Sequence, residues 1–263
     1  MDEPDPGRTL RRQEPSDAVS GLGWRYVLGT LRATVAVGSP AEAAEVAARL
    51  VAACGDEAAS LSIDLRPDQV ALSLQSPASA SVTAREVELA QQVSEVTRGL
   101  GLATEAGVGG PSRRSVQVIE IAIDALDIAA VRPFWKAVLG YTDEPGRAGP
   151  EDPLVDPLGQ GPAIWFQQMD APRPQRNRIH LDVSVPHDEA ADRIRATLAA
   201  GGTLRDDAEA PAFWVLADPE GNEACITTWQ AATPRHPPIG GQGHRSNQSA
   251  STGPSGDPQG AAR

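Results

Sequence analysis

Three side chains of this sequence, Glu120, His180 and Cys225, are of types that bind metals or transfer protons and lie in segments with regular patterns. Cys225 comes three residues after the turn-forming stretch 218–222 and lies within 223–229, which is rich in strand-forming residues. A thiol at this place could be a metal ligand, a nucleophile or a small buried hydrophobe. All 4 histidines fall in the last third of the chain, which restricts histidine chemistry to that part.

An internal repeat predicts the elements that position these side chains. Each copy has an alternating strand, a helical stretch, a turn of the form Asp-Pro-x-Gly and a last strand. Two such β-α-β-β-β units in tandem predict a pseudo-twofold structure whose sheets curl around a shared cleft. The segments of the two copies are the first strands 119–123 and 179–183, the helical stretches 131–140 and 188–202, the turns 156–159 and 218–221, and the last strands 163–168 and 223–228.

Period-two alternation assigns the faces of these strands. It turns the isoleucines of 119–123 toward the helix and Glu120 toward the cleft. In the second copy it turns His180 and Asp182 toward the cleft. The repeat symmetry therefore predicts that Glu120 and His180 lie on opposite walls of one cavity, which Cys225 could also face.

The motifs of the repeat resemble those of a known superfamily. The helix end FWKAVLGY, the strand RIHLDV and the turn DPEGNE resemble the vicinal oxygen chelate superfamily, most closely its glyoxalase-like, bleomycin-resistance-type branch. The resemblance covers about residues 116–230. It implies a metal held by His or Glu on the first and last strands of the units. Glu120 and His180 match the two first-strand positions, whereas Cys225 stands where a Glu is usual.

The ligand set favours a cleft without a catalytic metal. A catalytic metal usually has at least three protein ligands and an open position, and hard, oxygen-preferring metals do not select a thiolate. We therefore predict no cofactor and keep a divalent metal as the less favoured alternative. Cys225 could act as a nucleophile if His180 reached it across the cleft, but packing is the expected role of a free Cys on a strand. Trp165, Gln167 and Trp214 either line a pocket for a planar ligand or pack as ordinary core and rim residues.

The N-terminal segment has the predicted order β-β-α-β-β-α, an antiparallel sheet with helices on one face. Residues 24–101 resemble pterin-4a-carbinolamine dehydratase through GWRYVLGTL, an alanine-rich helix and SVTAREVELAQQVSEV. The positions that match that family's histidines hold Ala59, Ser60 and Pro77, and no histidine precedes His180. This segment is therefore expected to be inactive as a dehydratase. Because related dehydratases associate, a homodimer or a partner-binding role is also compatible with the resemblance.

Composition sets the organisation of the chain and excludes some partners. The net charge of −12 argues against nucleic acid and anionic membrane surfaces. No apolar run is long enough to cross a membrane, and the acidic N-terminus is unlike a signal peptide. The two cysteines lie in separate segments, so a disulfide framework is not expected. These features together predict that the protein is located in the reducing cytoplasm. The predicted organisation is a flexible lead 1–20, a dehydratase-like domain 21–101, a linker 102–115, a glyoxalase-like domain 116–231 and a disordered tail 232–263.

The sequence thus predicts an α+β protein of two domains that binds a small organic molecule in its C-terminal cleft. The predicted binding residues are Glu120, Trp165, Gln167, His180, Trp214 and Cys225. The alternative is an enzyme, either a metal-dependent lyase, isomerase or dioxygenase of the vicinal oxygen chelate type, or a 4a-hydroxytetrahydrobiopterin dehydratase, which the absent histidines disfavour.

Overall fold

A computed structural model of the protein describes residue 8 and residues 10–108, 114–172 and 179–233. The first residues of the predicted lead and almost all of the predicted tail, from residue 234, lie outside the described residues. Two separate hydrophobic cores are present, one formed within 10–102 and one within 121–226. The structure therefore has the mixed α+β character that the sequence predicts.

The N-terminal unit has the predicted order of strands and helices. Its main sheet has the order β1-β2-β4-β3, and a short fifth strand pairs with β2. The elements are α1 (Gln13–Val19), β1 (Arg25–Val27), β2 (Thr30–Ala36), α2 (Pro40–Cys54), β3 (Leu61–Leu65), β4 (Gln69–Leu74), α3 (Ala84–Gly99) and β5 (Thr104–Glu105).

The helices of this unit begin where the sequence carries capping residues. The Ser39 side chain accepts a hydrogen bond from the Glu42 backbone N–H, and Pro40 follows as the first helical residue. Thr83 and Glu86 form a capping box at the start of α3. The Glu86 carboxylate is buried, and it also accepts a hydrogen bond from the Ser60 hydroxyl. In the described part of the chain, no helix combines the length and hydrophobicity that a membrane crossing requires.

Two segments contain more structure than the sequence suggests. Helix α1 lies within the predicted lead 1–20, and it buries Pro15 and Val19. Short strands also lie within the predicted linker 102–115, where β6 (Gly107–Val108) pairs with β7 (Arg114–Ser115). In both cases tertiary contacts stabilise segments whose local composition is typical of loops.

The C-terminal unit consists of two β-α-β-β-β repeats, as predicted. Each repeat forms a four-stranded sheet in which the first strand pairs in parallel with the last. The sheet orders are β8-β11-β10-β9 and β12-β15-β14-β13. The elements are β8 (Glu120–Ala125), α4 (Ile128–Leu139), β9 (Thr142–Asp143), β10 (Leu154–Val155), β11 (Ala163–Gln168), β12 (Leu181–Ser184), α5 (Ala190–Ala199), β13 (Thr203–Asp206), β14 (Phe213–Ala217) and β15 (Glu223–Thr227).

One core is shared by both repeats. It includes Ile123 of β8, Phe134 of α4 and Ile226 of β15, and α4 packs against α5. The predicted alternation holds from Ile121 onward, whereas Ile119 is 61% exposed. The first strand of each repeat therefore begins one or two residues later than the pattern suggests.

A buried carboxylate connects the two repeats. Asp218, which is 1% exposed, accepts hydrogen bonds from the backbone N–H groups of Glu220 and Asn222 at 2.9 Å each. It also accepts from Trp135 Nε1 of the first repeat at 3.0 Å and from Asn222 Nδ2 at 2.8 Å. In the same turn, the Glu220 carboxylate accepts from the backbone N–H groups of Leu126 and Asp127. The turn of the second repeat is thereby held at the start of helix α4 of the first.

We expect Asp218→Ala to lower the free energy of unfolding by about 2–4 kcal/mol, since it leaves several buried donors without an acceptor. The matched control is Asp156→Ala in the equivalent turn of the first repeat. Among the described residues, Asp156 accepts hydrogen bonds only from the backbone N–H groups of Leu158, Gln160 and Gly161, so about 1 kcal/mol is expected there. Urea denaturation of both variants measures the difference. Equal losses would contradict a special role of Asp218 in joining the repeats.

Candidate functional site

A cavity of about 320 Å³ lies between the first strands of the two repeats. Its apolar walls come mainly from the beginning of β8 and from the residues at the beginning of β12. The polar groups on it are few and come from both repeats. The lining residues are Ile121, Ala122, Ile123, Asp124, Trp135, Ile179, His180, Leu181, Asn222 and Glu223.

The Asp218 carboxylate positions two of these lining side chains. Trp135 is 2% exposed, and its indole N–H donates to Asp218, which fixes the ring on the inner side of the cavity. The Asn222 amide donates to the same carboxylate. A buried tryptophan usually requires such an acceptor for its N–H. The contact between the repeats and the shape of the cavity therefore depend on one side chain.

The turn of the first repeat shows the same motif without the cross-repeat contact. Burial acts to raise the pKa of Asp156, but hydrogen bonds from the backbone N–H groups of Leu158, Gly161 and Gln160 outweigh it and lower the pKa. Gly159 at the fourth position of this turn has a φ of 65°, in the left-handed region that glycine tolerates. The repeated Asp-Pro-x-Gly sequence thus encodes the same local turn twice.

A second feature, the His180–Asp182–Cys225 group, lies on the open face of the second sheet. Asp182 and Cys225 are direct partners in the parallel pairing of β12 with β15, so both point to the same face. His180 precedes Asp182 by two residues, and its Nε2 lies 3.4 Å from Asp182 Oδ1. One ligand atom from each of the three residues lies within 4.8 Å of the others.

The donor set of this group suits a borderline metal ion. Ligand atoms around one tetrahedral zinc ion lie about 3.3–3.8 Å apart, because the bonds are about 2.0–2.3 Å long. Small rotations of the exposed His180 and Asp182 side chains would bring the three atoms within that range. Cys225 is 8% exposed and offers sulfur, which zinc accepts and which magnesium or manganese does not prefer. The residues present therefore fit zinc better than a hard cation.

The structure places the predicted binding residues at different locations. His180 lines the cavity, and Cys225 lies beside it in the His180–Asp182–Cys225 group. Glu120 is exposed at the beginning of β8 and is not one of the residues that line the cavity. On the open face of the first sheet, Trp165 is the pairing partner of Ala122 and Gln167 that of Asp124.

Trp214 lies on the opposite face of its sheet from Cys225. It pairs with the buried Ile226 and packs against the shared core, partly exposed. Of the two roles that the sequence allows for this side chain, its position corresponds to core packing.

The binding residues predicted from the sequence did not include Asp182, Trp135 or Asn222, although Asp182 was predicted to face the cleft. The signal for Asp182 was present, because alternation places it on the same face as His180. The signal for Asn222 was its place in the DPEGN turn, next to the last strand. No local signal identifies Trp135, since its helix position is equally typical of a core residue.

The three positions that the predicted resemblance aligns with the dehydratase histidines lie along one groove of the N-terminal unit. Ala59, Ser60 and Pro77 all line a groove of about 930 Å³ on the face of the first sheet away from its helices. We call it the N-terminal groove. None of the three side chains has a group that titrates near neutrality, so they cannot supply general acid–base catalysis there.

Comparison with protein families confirms the prediction for the C-terminal unit. The family model described as a glyoxalase-like domain matches residues 120–227, which contain both repeats from the first strand of one to the last strand of the other. This part of the chain is similar to that family, and we call it the glyoxalase-like domain. No curated protein matches the chain. The dehydratase-like character of the N-terminal unit stays a prediction.

Solved structures similar to the chain correspond to less than half of it. A glyoxalase/bleomycin resistance protein/dioxygenase family enzyme from Burkholderia phytofirmans PsJN is 22% identical, with 41% of this chain and 95% of that chain covered and a TM-score of 0.35. A glyoxalase-related enzyme from Fulvimarina pelagi is 23% identical, with coverages of 44% and 88% and a TM-score of 0.32. A mutant of the fosfomycin resistance protein FosX from Listeria monocytogenes, complexed with Mn(II) and 1S,2S-dihydroxypropylphosphonic acid, is 11% identical, with coverages of 43% and 90% and a TM-score of 0.34. A homodimer and a cytoplasmic location stay predictions for this chain.

We expect His180→Ala and Glu120→Ala each to change the free energy of unfolding by no more than about 0.5 kcal/mol. Both side chains are exposed, and substitutions at exposed positions without structural contacts usually have effects of this size. Denaturant unfolding of the two single variants and the double variant measures the effect. Losses of about 1–3 kcal/mol that do not add in the double variant would show instead that the two residues hold the sheets together.

Proposed function

We propose that the glyoxalase-like domain binds a small, partly apolar organic molecule in the cavity between the first strands of its two repeats. The observation that carries this proposal is the lining of the cavity. Isoleucine, leucine and tryptophan are five of its ten lining residues, and four polar residues, Asp124, His180, Asn222 and Glu223, converge on it. Small-molecule sites have this composition, and a volume near 320 Å³ is at the lower end of their range of about 300–1,000 Å³.

The polar lining groups give the ligand an orientation. His180 is exposed at the cavity, and its imidazole can donate or accept a hydrogen bond. Trp165 lies beside Ala122 on the open sheet face, where it would contact a part of the ligand that extends out of the cavity. Glu120 and Gln167 lie on the same face and would meet polar substituents there. In this proposal Cys225 packs below His180 and Asp182, and binding requires no metal.

A metal-dependent enzyme is the second candidate, and the His180–Asp182–Cys225 group is the observation that favours it. Three protein ligands that leave an open coordination position are typical of catalytic zinc. When bound, such a metal supplies Lewis-acid polarisation of a substrate oxygen. His180 belongs both to this group and to the cavity, so a ligand in the cavity would lie next to the metal.

The N-terminal unit is proposed to be inactive as a pterin dehydratase. General acid–base catalysis requires a group that titrates near neutrality at the reacting hydroxyl. Ala59, Ser60 and Pro77 cannot serve, and His180 is the first histidine of the chain.

We expect Ala122→Phe to abolish binding of a small aromatic ligand, because the new ring fills the cavity from an exposed position without disturbing the core. The matched control is Ala129→Phe, the same substitution at an exposed position of helix α4 that does not line the cavity. A thermal-shift screen of small aromatic compounds identifies the probe, and calorimetry then measures its affinity for each variant. Unchanged affinity in Ala122→Phe, with both variants folded, would contradict the proposed site.

Chelation distinguishes the two candidates. If the cavity binds its ligand without a metal, affinity for the aromatic probe is unchanged after dialysis against EDTA. The enzyme candidate predicts that zinc raises the melting temperature, with a stabilisation of about 2.7 kcal/mol when free zinc exceeds its Kd a hundredfold. Cys225→Ser should remove this effect, whereas the control Cys54→Ser, which replaces the other buried thiol, should keep it. No zinc-dependent shift in the wild-type chain would exclude the metal candidate.

A further inference from the structure

The N-terminal groove runs over the face of the first sheet that the helices leave uncovered. Strand β2 turns Leu31, Ala33 and Val35 into the core, and β4 does the same with alternate residues. The other face of these strands carries polar side chains instead of the apolar ones that a buried sheet face would have. This face is therefore suited to polar contacts with a ligand and not to packing.

Strand register places four of these polar residues in one row across the sheet. Arg25 pairs with Arg32, Arg32 pairs with Ser73, and Ser73 pairs with Ser62. Direct partners on neighbouring strands point to the same face. The row therefore presents two guanidinium groups and two hydroxyls on one surface. All of these groups can donate hydrogen bonds, and a guanidinium cannot accept them.

Arg32 is the cation of this row that lines the groove. It is partly buried, and its Nε donates to the Thr30 hydroxyl at 3.2 Å. Within the described residues it makes no ion pair with a carboxylate. The other arginine that lines the groove, Arg66, donates to Asp64 from both Nε and Nη2, and the neighbouring Arg25 donates to the backbone carbonyls of Ser20 and Trp24.

Burial without a partner is unfavourable for Arg32. Desolvation lowers the pKa of its guanidinium, and no nearby acid compensates. A partly buried cation is usually paired, since an opposite charge offsets the loss of hydration. In a chain with a net charge of −12, carboxylates are abundant, yet none of the described ones reaches Arg32. An anionic ligand would supply the counter-charge that no described residue provides.

The hydroxyls next to Arg32 are available as additional donors. Neither Ser62 nor Ser73 forms a side-chain hydrogen bond with another residue of the described chain, and both line the groove together with Arg32. The volume of about 930 Å³ leaves space for an organic group beside an oxyanion. The turn 158–160 of the glyoxalase-like domain borders the groove on one side.

We propose that the N-terminal groove is a second ligand site, which binds a small organic anion with a phosphate or carboxylate group. The Arg32 guanidinium holds two oxygens of that group, in the bidentate geometry that arginine forms with both kinds of oxyanion. Ser62 and Ser73 donate to the remaining oxygens. This site is independent of the cavity between the repeats and does not require any acid–base chemistry.

The test uses the full chain with phenyl phosphate, benzoate and inorganic phosphate as probes, and calorimetry measures each affinity. Arg32→Gln is expected to weaken the probe that binds by about ten- to a hundredfold, the usual loss of hydrogen bonds to a charged group. Arg49→Gln, which removes an exposed arginine of helix α2 that pairs with Glu45 and does not line the groove, is the matched control and should change affinity by less than about threefold. Binding of phenyl phosphate but not benzoate would assign a phosphate ligand, and the reverse a carboxylate.

Two results would overturn the proposal. One is that the wild-type chain binds none of the three probes at millimolar concentration. The other is that Arg32→Gln and Arg49→Gln weaken binding equally, which would indicate a general charge effect and no specific site. If Arg32→Gln does not fold, as judged by its melting temperature, the double variant Ser62→Ala, Ser73→Ala replaces it, and unchanged affinity in that variant would also reject the site.

Discussion

The burial of the Asp218 carboxylate is the constraint on which the glyoxalase-like domain depends. A buried acid is tolerated only when hydrogen bonds replace its hydration, and here donors of its own turn and the indole of Trp135 do so. Since Trp135 belongs to the first repeat and Asp218 to the second, satisfying the carboxylate fixes the two repeats relative to each other. The cavity lies at this contact, and Trp135 and Asn222 are part of its wall. Stability and site geometry thus have a common origin.

The two proposed ligand sites differ in chemistry because they arise from different parts of the sheets. The cavity lies between the first strands of the two repeats, where isoleucine, leucine and tryptophan residues form part of the wall, so it suits an apolar ligand with few polar groups. The N-terminal groove lies on an uncovered sheet face with a row of donors around Arg32. An acceptor-rich anion is its natural ligand. One chain therefore offers two separate environments that need not bind the same molecule.

The nature of the thiol decides what metal chemistry the domain can support. Cys225 occupies the position at which the resemblance implies a Glu, and exchanging oxygen for sulfur changes the preferred ion from a hard cation to zinc. Asp182 supplies the oxygen ligand from the strand next to it. His180, Asp182 and Cys225 are equally compatible with a buried thiol beneath two solvated side chains. Metal binding and ligand binding therefore require separate tests.

The sequence by itself determined the elements that depend on neighbouring residues. The capping residues Ser39 and Thr83 and the two Asp-Pro-x-Gly turns act over a few positions, and the structure has each of them where the pattern predicts it. The strand alternation also acts locally, but it fails at the exposed residues Ile119 and Ile179. The tertiary structure alone decided which residues meet. It placed Asp182 beside Cys225, turned Trp214 to the core and left Glu120 outside the cavity lining. It also ordered helix α1 within the predicted flexible lead. The reason is physical: alternation fixes the face of a side chain, but the pairing partner and register of a strand follow from core packing between segments far apart in the chain.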